Sequence, residues 1–247
     1  MTAAAGGIGS ALVDVLAGAG ARIMAVDISA RRLDGLAETW AAKWGGHVVT
    51  RRADLGVESE VEGAVDAAAE LFGGLDGLAN VAGGIPGFSA ESFDLAIGAF
   101  DLVTWRKYFT LNVETAFVAI RRAVPVFERV AYGKVVNVAS MAAYGNHDQM
   151  GNTAYDTAKS AVLGMTTSLA RTLGPLGVRV NAVSPGTTLS PMMRESFDHR
   201  QLMEYEMRAP LRAVGKPSDV AGAMAYLLAP ESDHVTGETI RVSGGLR

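Results

Sequence analysis

The chain has 247 residues, of which 49% are hydrophobic and 19% charged, a composition that supports a sizeable core and excludes extended disorder. A formal charge of −4 gives no electrostatic reason to expect nucleic acid or an anionic membrane as a partner, and the lack of cysteine excludes disulfides, a thiolate nucleophile and a cysteine-ligated metal. No apolar run reaches the roughly 18 residues that cross a bilayer, and the first residues do not resemble a secretory leader, so we expect a soluble, cytoplasmic protein.

Short β-rich apolar segments alternate with longer alanine-rich segments, which is the pattern of repeated βα units. The strand candidates are residues 21–26, 47–51, 75–79, 134–138, 178–182 and 239–242. The helical patterns cover about 8–19, 29–44, 57–72, 100–131, 154–174 and 217–229. Because neither a repeat nor a linker interrupts this pattern, we expect residues 1–247 to form one α/β domain, a doubly wound parallel sheet with helices on both faces.

A turn of small residues, TAAAGGIG at positions 2–9, runs directly into the first predicted helix. Glycine lets backbone N–H groups approach a pyrophosphate and the helix N-terminus favours an anion, so Gly7, Ile8 and Gly9 are candidate phosphate-binding residues. Asp27 ends the next strand, 18 residues after Gly9, near the ~20-residue spacing of a carboxylate that binds an adenosine ribose. The alternatives are an ordinary tight turn for the glycines and a capping aspartate for Asp27.

A second group of candidates is Ser140, Tyr155 and Lys159. Tyr155 and Lys159 are four residues apart on a predicted helix and therefore share one face. An ammonium beside a phenol stabilises the phenolate and lowers its pKa, as a general base working near neutral pH requires. Ser140 follows a strand at the carboxyl edge of the sheet, where ligands bind in such folds. Taken alone, a Tyr-x-x-x-Lys pair is common on helix surfaces and indicates nothing.

Together these residues resemble the short-chain dehydrogenase/reductase family over essentially the whole chain. The motifs that carry the resemblance are TAAAGGIG at 2–9, Asp54-Leu55, Asn80-Val81-Ala82-Gly83, Asn112, Ser140, Tyr155-Asp156-Thr157-Ala158-Lys159, Ser184-Pro185-Gly186 and the closing VTGETIRVSGG. The resemblance implies a Rossmann-like fold and catalysis by four of these residues. Tyr155 is then the acid/base for the substrate oxygen, and Lys159 lowers the pKa of that phenol and binds the nicotinamide ribose. Ser140 orients the carbonyl, and Asn112 holds a water in a proton relay.

The same resemblance implies contacts along a nicotinamide dinucleotide. The turn at Gly7, Ile8 and Gly9 passes over the diphosphate, and residues after the second and third strand candidates contact the adenosine half. A segment after the fifth strand candidate anchors the nicotinamide carboxamide. The positions implied are Asp54, Leu55 and Asn80 for the adenosine half, and Pro185, Gly186, Thr188 and Ser190 for the nicotinamide half.

We expect NAD(H) as the cofactor because the carboxylate of Asp27 repels a 2′-phosphate. Gly6 stands where phosphate-binding relatives often carry a basic residue. Arg31 and Arg32 are the competing feature, since a guanidinium four or five residues after Asp27 can turn toward a phosphate. We favour the interpretation in which both arginines lie on the exposed face of a helix.

The substrate is expected to be a medium-sized, partly apolar ketone or secondary alcohol. Residues 187–214 are rich in methionine, which adapts to irregular apolar shapes, and in the family this region forms a flap over the substrate. Met193 and Met203 are its candidate contacts, although an amphipathic helix pair that is simply packed is the alternative. Residues 141–152 are expected to form the other wall, with polar contacts from Tyr144, His147 and Gln149. Because the four histidines of the chain lack ligand spacing, no metal site is expected.

The leading functional hypothesis is an oxidoreductase, and the alternative is a dinucleotide-binding sensor or scaffold without redox turnover. Retention of all four catalytic positions favours the enzyme. Family members pair through the two long helices, here about 100–131 and 154–174, and through the last helix and strand. A homotetramer is therefore expected, with a symmetric dimer through the helix pair alone as the second choice.

Three departures from the family pattern are visible. Ala3 replaces the first glycine of the turn, and Val81 replaces an asparagine. The largest departure is that no strand precedes Thr2, although in this fold the first strand lies between the strands predicted at 21–26 and 75–79. We expect either an apolar strand upstream of Met1 or a rearranged sheet in which those two strands approach each other or are bridged.

Overall fold

Strands and helices alternate along the chain in a computed structural model that describes residues 1–87, 97–145 and 151–246. The strands are β1 (Ile23–Asp27), β2 (Val48–Arg52), β3 (Gly77–Asn80), β4 (Gly133–Val138), β5 (Val178–Pro185) and β6 (Thr239–Val242). The helices are α1 (Gly7–Gly18), α2 (Ala30–Trp44), α3 (Glu58–Phe72), α4 (Leu102–Phe109), α5 (Thr115–Val130), α6 (Thr153–Leu173), α7 (Pro191–Ser196), α8 (His199–Arg208) and α9 (Pro217–Leu228). Side-chain caps set several helix starts: Ser29 accepts the N–H of Arg32 in α2, and Asn152 accepts the N–H of Tyr155 in α6.

The strands pair in parallel, β1 with β2 and, separately, β3–β4–β5–β6 in that order. Helices α1 and α9 cover one face of the larger sheet, where Leu12 and Met224 are fully buried. Helices α3, α5 and α6 cover the other face around Phe127 and Val180. This layering confirms the predicted α/β fold. Among the described residues, no helix is both long enough and apolar enough to cross a membrane.

The long helix predicted over 100–131 is interrupted at its centre. Between α4 and α5 the backbone forms a π-helical turn, Thr110–Glu114, that contains Asn112. The Asn112 side-chain amide donates to the carbonyl of Tyr108 at 2.9 Å and to that of Gly84 at 2.8 Å. A π-turn widens the helix locally, so it turns one polar side chain into the protein without ending the helix.

The first residues of the chain lie between β1 and β3 at the carboxyl ends of these strands. The Met1 amine donates to the Met24 carbonyl at 2.9 Å, and the Val26 N–H donates to the Met1 carbonyl at 2.9 Å. On the other side, the Thr2 N–H donates to the Ala79 carbonyl at 3.0 Å. Met1 and Thr2 therefore bridge β1 and β3 at their carboxyl ends.

Candidate active site

The glycine turn is fixed against the carboxyl end of β1. The Ala4 N–H donates to the Val26 carbonyl at 2.9 Å, and the Ala5 N–H donates to the Asp27 carboxylate at 3.0 Å. A side chain at Gly9 would overlap with the Ala3 carbonyl, so the close approach of turn and helix requires glycine there. The first N–H groups of α1 have no partners within the helix and are therefore available to an anion.

Asp27 lies beside this turn, as the sequence predicts, and is only 3% exposed. Its carboxylate accepts the N–H groups of Ala5 and Ser29, each at 3.0 Å. It also pairs with the Arg32 guanidinium at 3.2 Å. Arg31 and Arg32 both lie on the exposed face of α2, as the sequence predicts, but the Arg32 guanidinium still reaches back to the buried carboxylate.

The residues predicted for the adenosine half follow β2 and β3. Asp54 lies in the loop after β2, where its carboxylate accepts the Gly56 N–H at 2.9 Å, and Leu55 packs partly into the core. Asn80 is buried and donates to Asn137 at 2.9 Å, while its Oδ1 has no partner among the described residues. A buried acceptor without a donor is a favourable position for a polar ligand group.

The backbone after Asn80 is held by a residue that the sequence analysis did not single out. The Thr2 hydroxyl accepts the N–H groups of Val81 at 3.0 Å and Ala82 at 3.1 Å. This bond ties the start of the chain to the β3 loop. It also accounts for how valine is accommodated at position 81, since the loop is fixed through its backbone.

The three predicted catalytic residues meet where β4 ends and α6 begins: Ser140 follows the strand, and Tyr155 and Lys159 lie in the first turns of the helix. Ser140 begins a short 3₁₀ turn (Met141–Tyr144), where its hydroxyl accepts the Ala142 N–H at 3.1 Å and lies near enough to Tyr155 to lower the pKa of that phenol. The Lys159 ammonium donates to the Val138 carbonyl at 2.9 Å and lies 5.8 Å from the centre of the Tyr155 ring. The three predicted residues are thus brought together by the end of a strand and one helix face.

Burial dominates the ionisation of this group. It raises the pKa of Tyr155, and the hydrogen bond with Ser140 acts in the opposite direction. Burial lowers the pKa of Lys159 to about 7. The expected depression of the Tyr155 pKa by Lys159 is not found, because the ammonium is directed to the Val138 carbonyl and is itself readily deprotonated. The phenol is therefore protonated at neutral pH.

The side chains of Asn112 and Lys159 both lie close to the backbone at Gly83. The Asn112 Oδ1 accepts the Gly84 N–H at 2.8 Å. A Cβ at Gly83 would lie 2.6 Å from the Lys159 Nζ and 2.8 Å from the Asn112 Oδ1, and the φ of Gly83 is +153°. The glycine loop after β3 therefore lets both side chains approach the backbone closely. Sequence reasoning included Gly83 in a motif but gave no sign of these contacts.

The residues predicted for the nicotinamide half lead away from β5. Gly186 donates its N–H to the Val242 carbonyl at 2.9 Å, and the Thr188 hydroxyl donates to the Gly186 carbonyl at 3.0 Å. Ser190 caps α7 by accepting the Met193 N–H, and its Cβ would be only 3.0 Å from a Cβ at Gly7. Pro185 is buried at the end of β5. This segment therefore closes against the phosphate turn.

The predicted flap consists of α7, α8 and their connections. Met193 and Phe197 are each 8% exposed, and Phe197 stacks edge-on against Tyr205. Met203 is half-exposed. On the opposite wall, the Arg241 guanidinium lies 4.0 Å from the centre of the Tyr144 ring. The remaining predicted contacts, His147 and Gln149, lie outside the described residues.

The polar groups at this edge of the sheet fit a nucleotide cofactor better than a metal ion. The α1 N-terminus offers N–H groups to a diphosphate, and Asp27 and the Asn80 Oδ1 offer acceptors to hydroxyl groups. In the part of the chain that the structure describes, no three His, Asp or Glu side chains are placed to hold a metal.

The comparisons with known proteins match the chain along its length. A family model described as enoyl-(acyl carrier protein) reductase matches residues 3–247. The 3-oxoacyl-(acyl-carrier-protein) reductase FabG of Thermotoga maritima is 32% identical over 247 residues, covering 100% of this chain and 96% of that protein. A short-chain dehydrogenase/reductase of Brucella melitensis, titled glucose/ribitol dehydrogenase, superposes with a TM-score of 0.85 at 32% identity, covering 100% and 94% of the two chains. A 7α-hydroxysteroid dehydrogenase complexed with NADH and 7-oxo glycochenodeoxycholic acid superposes with a TM-score of 0.89 at 27% identity, covering 99% and 91%.

Proposed function

The chain belongs to the short-chain dehydrogenase/reductase family, and from this premise we propose that it is an NAD(H)-dependent oxidoreductase that interconverts a secondary alcohol and a ketone. One observation carries the proposal: Ser140 interacts with the Tyr155 phenol at the carboxyl edge of the sheet, and the Lys159 ammonium lies 5.8 Å from the centre of the Tyr155 ring. A protonated phenol, a second hydroxyl and a cation beside one another are the groups that a carbonyl reduction needs.

In the direction of reduction, Tyr155 donates its proton to the substrate oxygen as negative charge develops there. Ser140 donates a hydrogen bond to the same oxygen and keeps the carbonyl beside the phenol. The hydride is supplied or accepted by the nicotinamide cofactor when it is bound. Burial keeps Tyr155 protonated until the substrate oxygen takes the proton, because its pKa lies above the usual value.

Lys159 and Asn112 then support the phenol after it has lost its proton. The Lys159 pKa of about 7 lets the ammonium exchange a proton near neutral pH, so Lys159 would return a proton toward the phenolate that remains after the transfer. Asn112 is held by the Gly84 backbone and the Tyr108 carbonyl, so its position is fixed. We assign it the relay role, as the residue that orders a water behind Lys159.

The cofactor is proposed to lie along the carboxyl edge, with its diphosphate on the α1 N-terminus. Asp27 would accept the ribose hydroxyls, with Asp54, Leu55 and Asn80 around the adenosine half. Pro185, Gly186, Thr188 and Ser190 would border the nicotinamide. The Asp27 carboxylate supports NAD(H), whereas its contact with Arg32 is the observation that favours NADP(H) as the second candidate.

The substrate is proposed to lie between Tyr144 and the flap, residues 187–214 of the same single domain. The buried Met193 and Phe197 support an apolar, medium-sized molecule. Met203 would join them when the flap closes, and His147 and Gln149 would supply polar contacts from the other wall. The 7-oxo bile acid carried by one structural neighbour has this size and character.

A homotetramer is proposed as the working assembly in the cytoplasm, where nicotinamide cofactors are available. Exposed apolar side chains on α4 and α5 support it: Leu102 is 68%, Val103 59% and Phe117 45% exposed. A symmetric dimer through α5 and α6 is the second choice. Light scattering at micromolar concentration measures the mass directly, and a monomer would contradict both assemblies.

The test of function is a spectrophotometric screen of ketones and alcohols with NADH, NAD⁺ and their 2′-phosphorylated forms. We expect turnover that prefers the unphosphorylated cofactor, and Tyr155→Phe is the matched inactive control. Tight cofactor binding without turnover on any carbonyl would favour the alternative, a dinucleotide-binding sensor or scaffold. Equal kcat/KM with NADH and NADPH would refute the cofactor assignment alone.

A further inference from the structure

One buried tyrosine, Tyr108, is bonded to both of the helical segments that carry catalytic side chains. It lies in the last turn of α4, just before the π-turn that contains Asn112. Its side chain is only 2% exposed. It is not among the residues by which the chain resembles its family, and its hydroxyl group has no part in the chemistry of the proposed reaction.

The main chain of Tyr108 helps to hold Asn112. The Asn112 side-chain amide donates to the Tyr108 carbonyl at 2.9 Å and to the Gly84 carbonyl at 2.8 Å. The Asn112 Oδ1 accepts the Gly84 N–H at 2.8 Å. The Tyr108 carbonyl is therefore part of a set of three hydrogen bonds that fixes the orientation of the Asn112 side chain.

The side chain of Tyr108 reaches the start of α6. The Asn152 side-chain amide donates to the Tyr108 hydroxyl oxygen at 2.7 Å, and the Asn152 Oδ1 accepts the Tyr155 N–H at 3.0 Å. Because Oδ1 is directed to the Tyr155 N–H, the amide presents its NH₂ group to the phenol. Asn152 is the N-cap of α6 and is 1% exposed. The first turn of α6 is thus tied to α4 through one buried hydroxyl group.

Packing fixes the ring that connects these two contacts. Tyr108 lies in a buried cluster with Ala154 and Ala158, against which Tyr155 also packs. The Phe100 ring meets the Tyr108 ring edge-on, with 5.9 Å between the ring centroids. A close-packed ring with two side-chain torsions keeps its hydroxyl at a constant distance from its own carbonyl. The spacing between the π-turn and the start of α6 is therefore set by the length of a tyrosine.

We propose that Tyr108 is a positioning residue, whose buried phenol fixes the first turn of α6 relative to the π-turn and so holds Tyr155 in register with Asn112. The proposal rests on the proposed function, in which Tyr155 exchanges the proton. Asn152 caps the N–H of the same residue whose hydroxyl reacts, so a shift of this turn moves the reacting phenol. Displacement of a reacting group by about 1 Å can reduce turnover by up to about 100-fold.

Tyr108→Phe tests the proposal, because it keeps the ring and the carbonyl that Asn112 contacts and removes only the hydroxyl that Asn152 contacts. Tyr132→Phe is the matched control, since the Tyr132 hydroxyl donates to Asp233 at 3.2 Å beside the opposite end of β4. We expect Tyr108→Phe to speed hydrogen exchange of the Tyr155 amide about tenfold and to slow ketone reduction in a single turnover about tenfold. The Kd for NADH should stay within twofold, and the control should change none of the three values.

A double-mutant cycle separates this tether from a general loosening of the fold. Asn152→Ser keeps a side-chain cap for α6 but is too short to reach Tyr108. Adding Tyr108→Phe to Asn152→Ser should therefore change neither the exchange rate nor the turnover further. An equal effect of Tyr108→Phe in both backgrounds would overturn the proposal, and so would unchanged exchange of the Tyr155 amide in Tyr108→Phe.

The two measurements also distinguish the tether from the proposed function. Hydrogen exchange needs no substrate, so it tests the contact between Tyr108 and Asn152 in a protein of any activity. Absence of ketone reduction by the unmodified protein would contradict the proposed function and, with it, the catalytic purpose of the tether. Normal ketone reduction by both the unmodified protein and Tyr108→Phe would overturn the positioning role alone.

Discussion

Replacing Gly83 tests whether the loop after β3 sets the position of the catalytic side chains. The φ angles of Gly83 and Gly84 are +153° and +135°, so alanine strains the backbone at either position by about 1–3 kcal/mol. Only at Gly83 does a Cβ meet other atoms, the Lys159 Nζ at 2.6 Å and the Asn112 Oδ1 at 2.8 Å; at Gly84 nothing lies within 4 Å. Gly84→Ala is therefore a control for strain without the clash.

The energetic cost of this clash follows from the hydrogen bond that it disturbs. Lys159 is buried and donates to the Val138 carbonyl at 2.9 Å, and moving a charged group off such a bond costs about 1.5–3 kcal/mol. Gly83→Ala should therefore be about 1.5–3 kcal/mol less stable than Gly84→Ala. For a chain of this size, that difference lowers Tm by about 3–12 °C.

Thermal unfolding of both variants and their turnover of one ketone measure the two consequences. We expect Gly83→Ala to lose kcat about 100-fold, since the displaced Lys159 and Asn112 no longer support Tyr155. Gly84→Ala should keep most of its kcat. Equal Tm values and equal kcat values for Gly83→Ala and Gly84→Ala would refute the reasoning.

The remaining predictions concern ionisation, the cofactor and the flap. Burial lowers the pKa of Lys159 to about 7, from about 10.4 in the unfolded chain, so between these pH values the unfolded chain binds a proton that the folded chain has released. The free energy of unfolding should therefore rise with pH from about 7 to 9.5, and urea titrations should show a flatter rise for Lys159→Met; an unchanged slope would contradict the assignment. Asp27→Ala should reduce the preference for NADH over NADPH about tenfold in Kd, and Arg32→Ala should weaken NADPH binding more than NADH binding. Replacing Met193 and Met203 together by alanine should raise KM for an apolar ketone about tenfold, whereas an unchanged KM across a ketone panel would rule out the flap.

Local spacing predicts the part of the site that lies within single βα units. Gly9 and Asp27 flank one helix and one strand, and Tyr155 and Lys159 lie one helical turn apart, so their neighbourhood follows from periodicity. The contact of Thr2 with Val81 and Ala82 joins positions 79 and 80 residues apart, and no local pattern indicates it. Contacts of this kind depend on the tertiary fold, so local spacing does not predict them.

Three further features of the site do not follow from the sequence pattern. The π-turn at Asn112 breaks a segment whose periodicity reads as one helix, because the side chain bonds a distant loop at Gly84. Arg32 reaches Asp27 although its position on α2 is exposed, since a long side chain can leave the face on which its Cα lies. The direction in which the pKa of Tyr155 shifts depends on burial, which residue spacing alone does not reveal.

The central claim is that Tyr155 exchanges the proton while a nicotinamide cofactor exchanges the hydride. Its most direct test is the transfer of deuterium from C4-deuterated NADH into the carbinol carbon of the product, measured by mass spectrometry in a single turnover. We expect the label in one product stereoisomer with the unmodified protein, and a rate at least about 1,000-fold lower with Tyr155→Phe at an unchanged Kd for NADH. Label transfer at the same rate in Tyr155→Phe, or no transfer to any carbonyl by the unmodified protein while NADH binds tightly, would contradict the account.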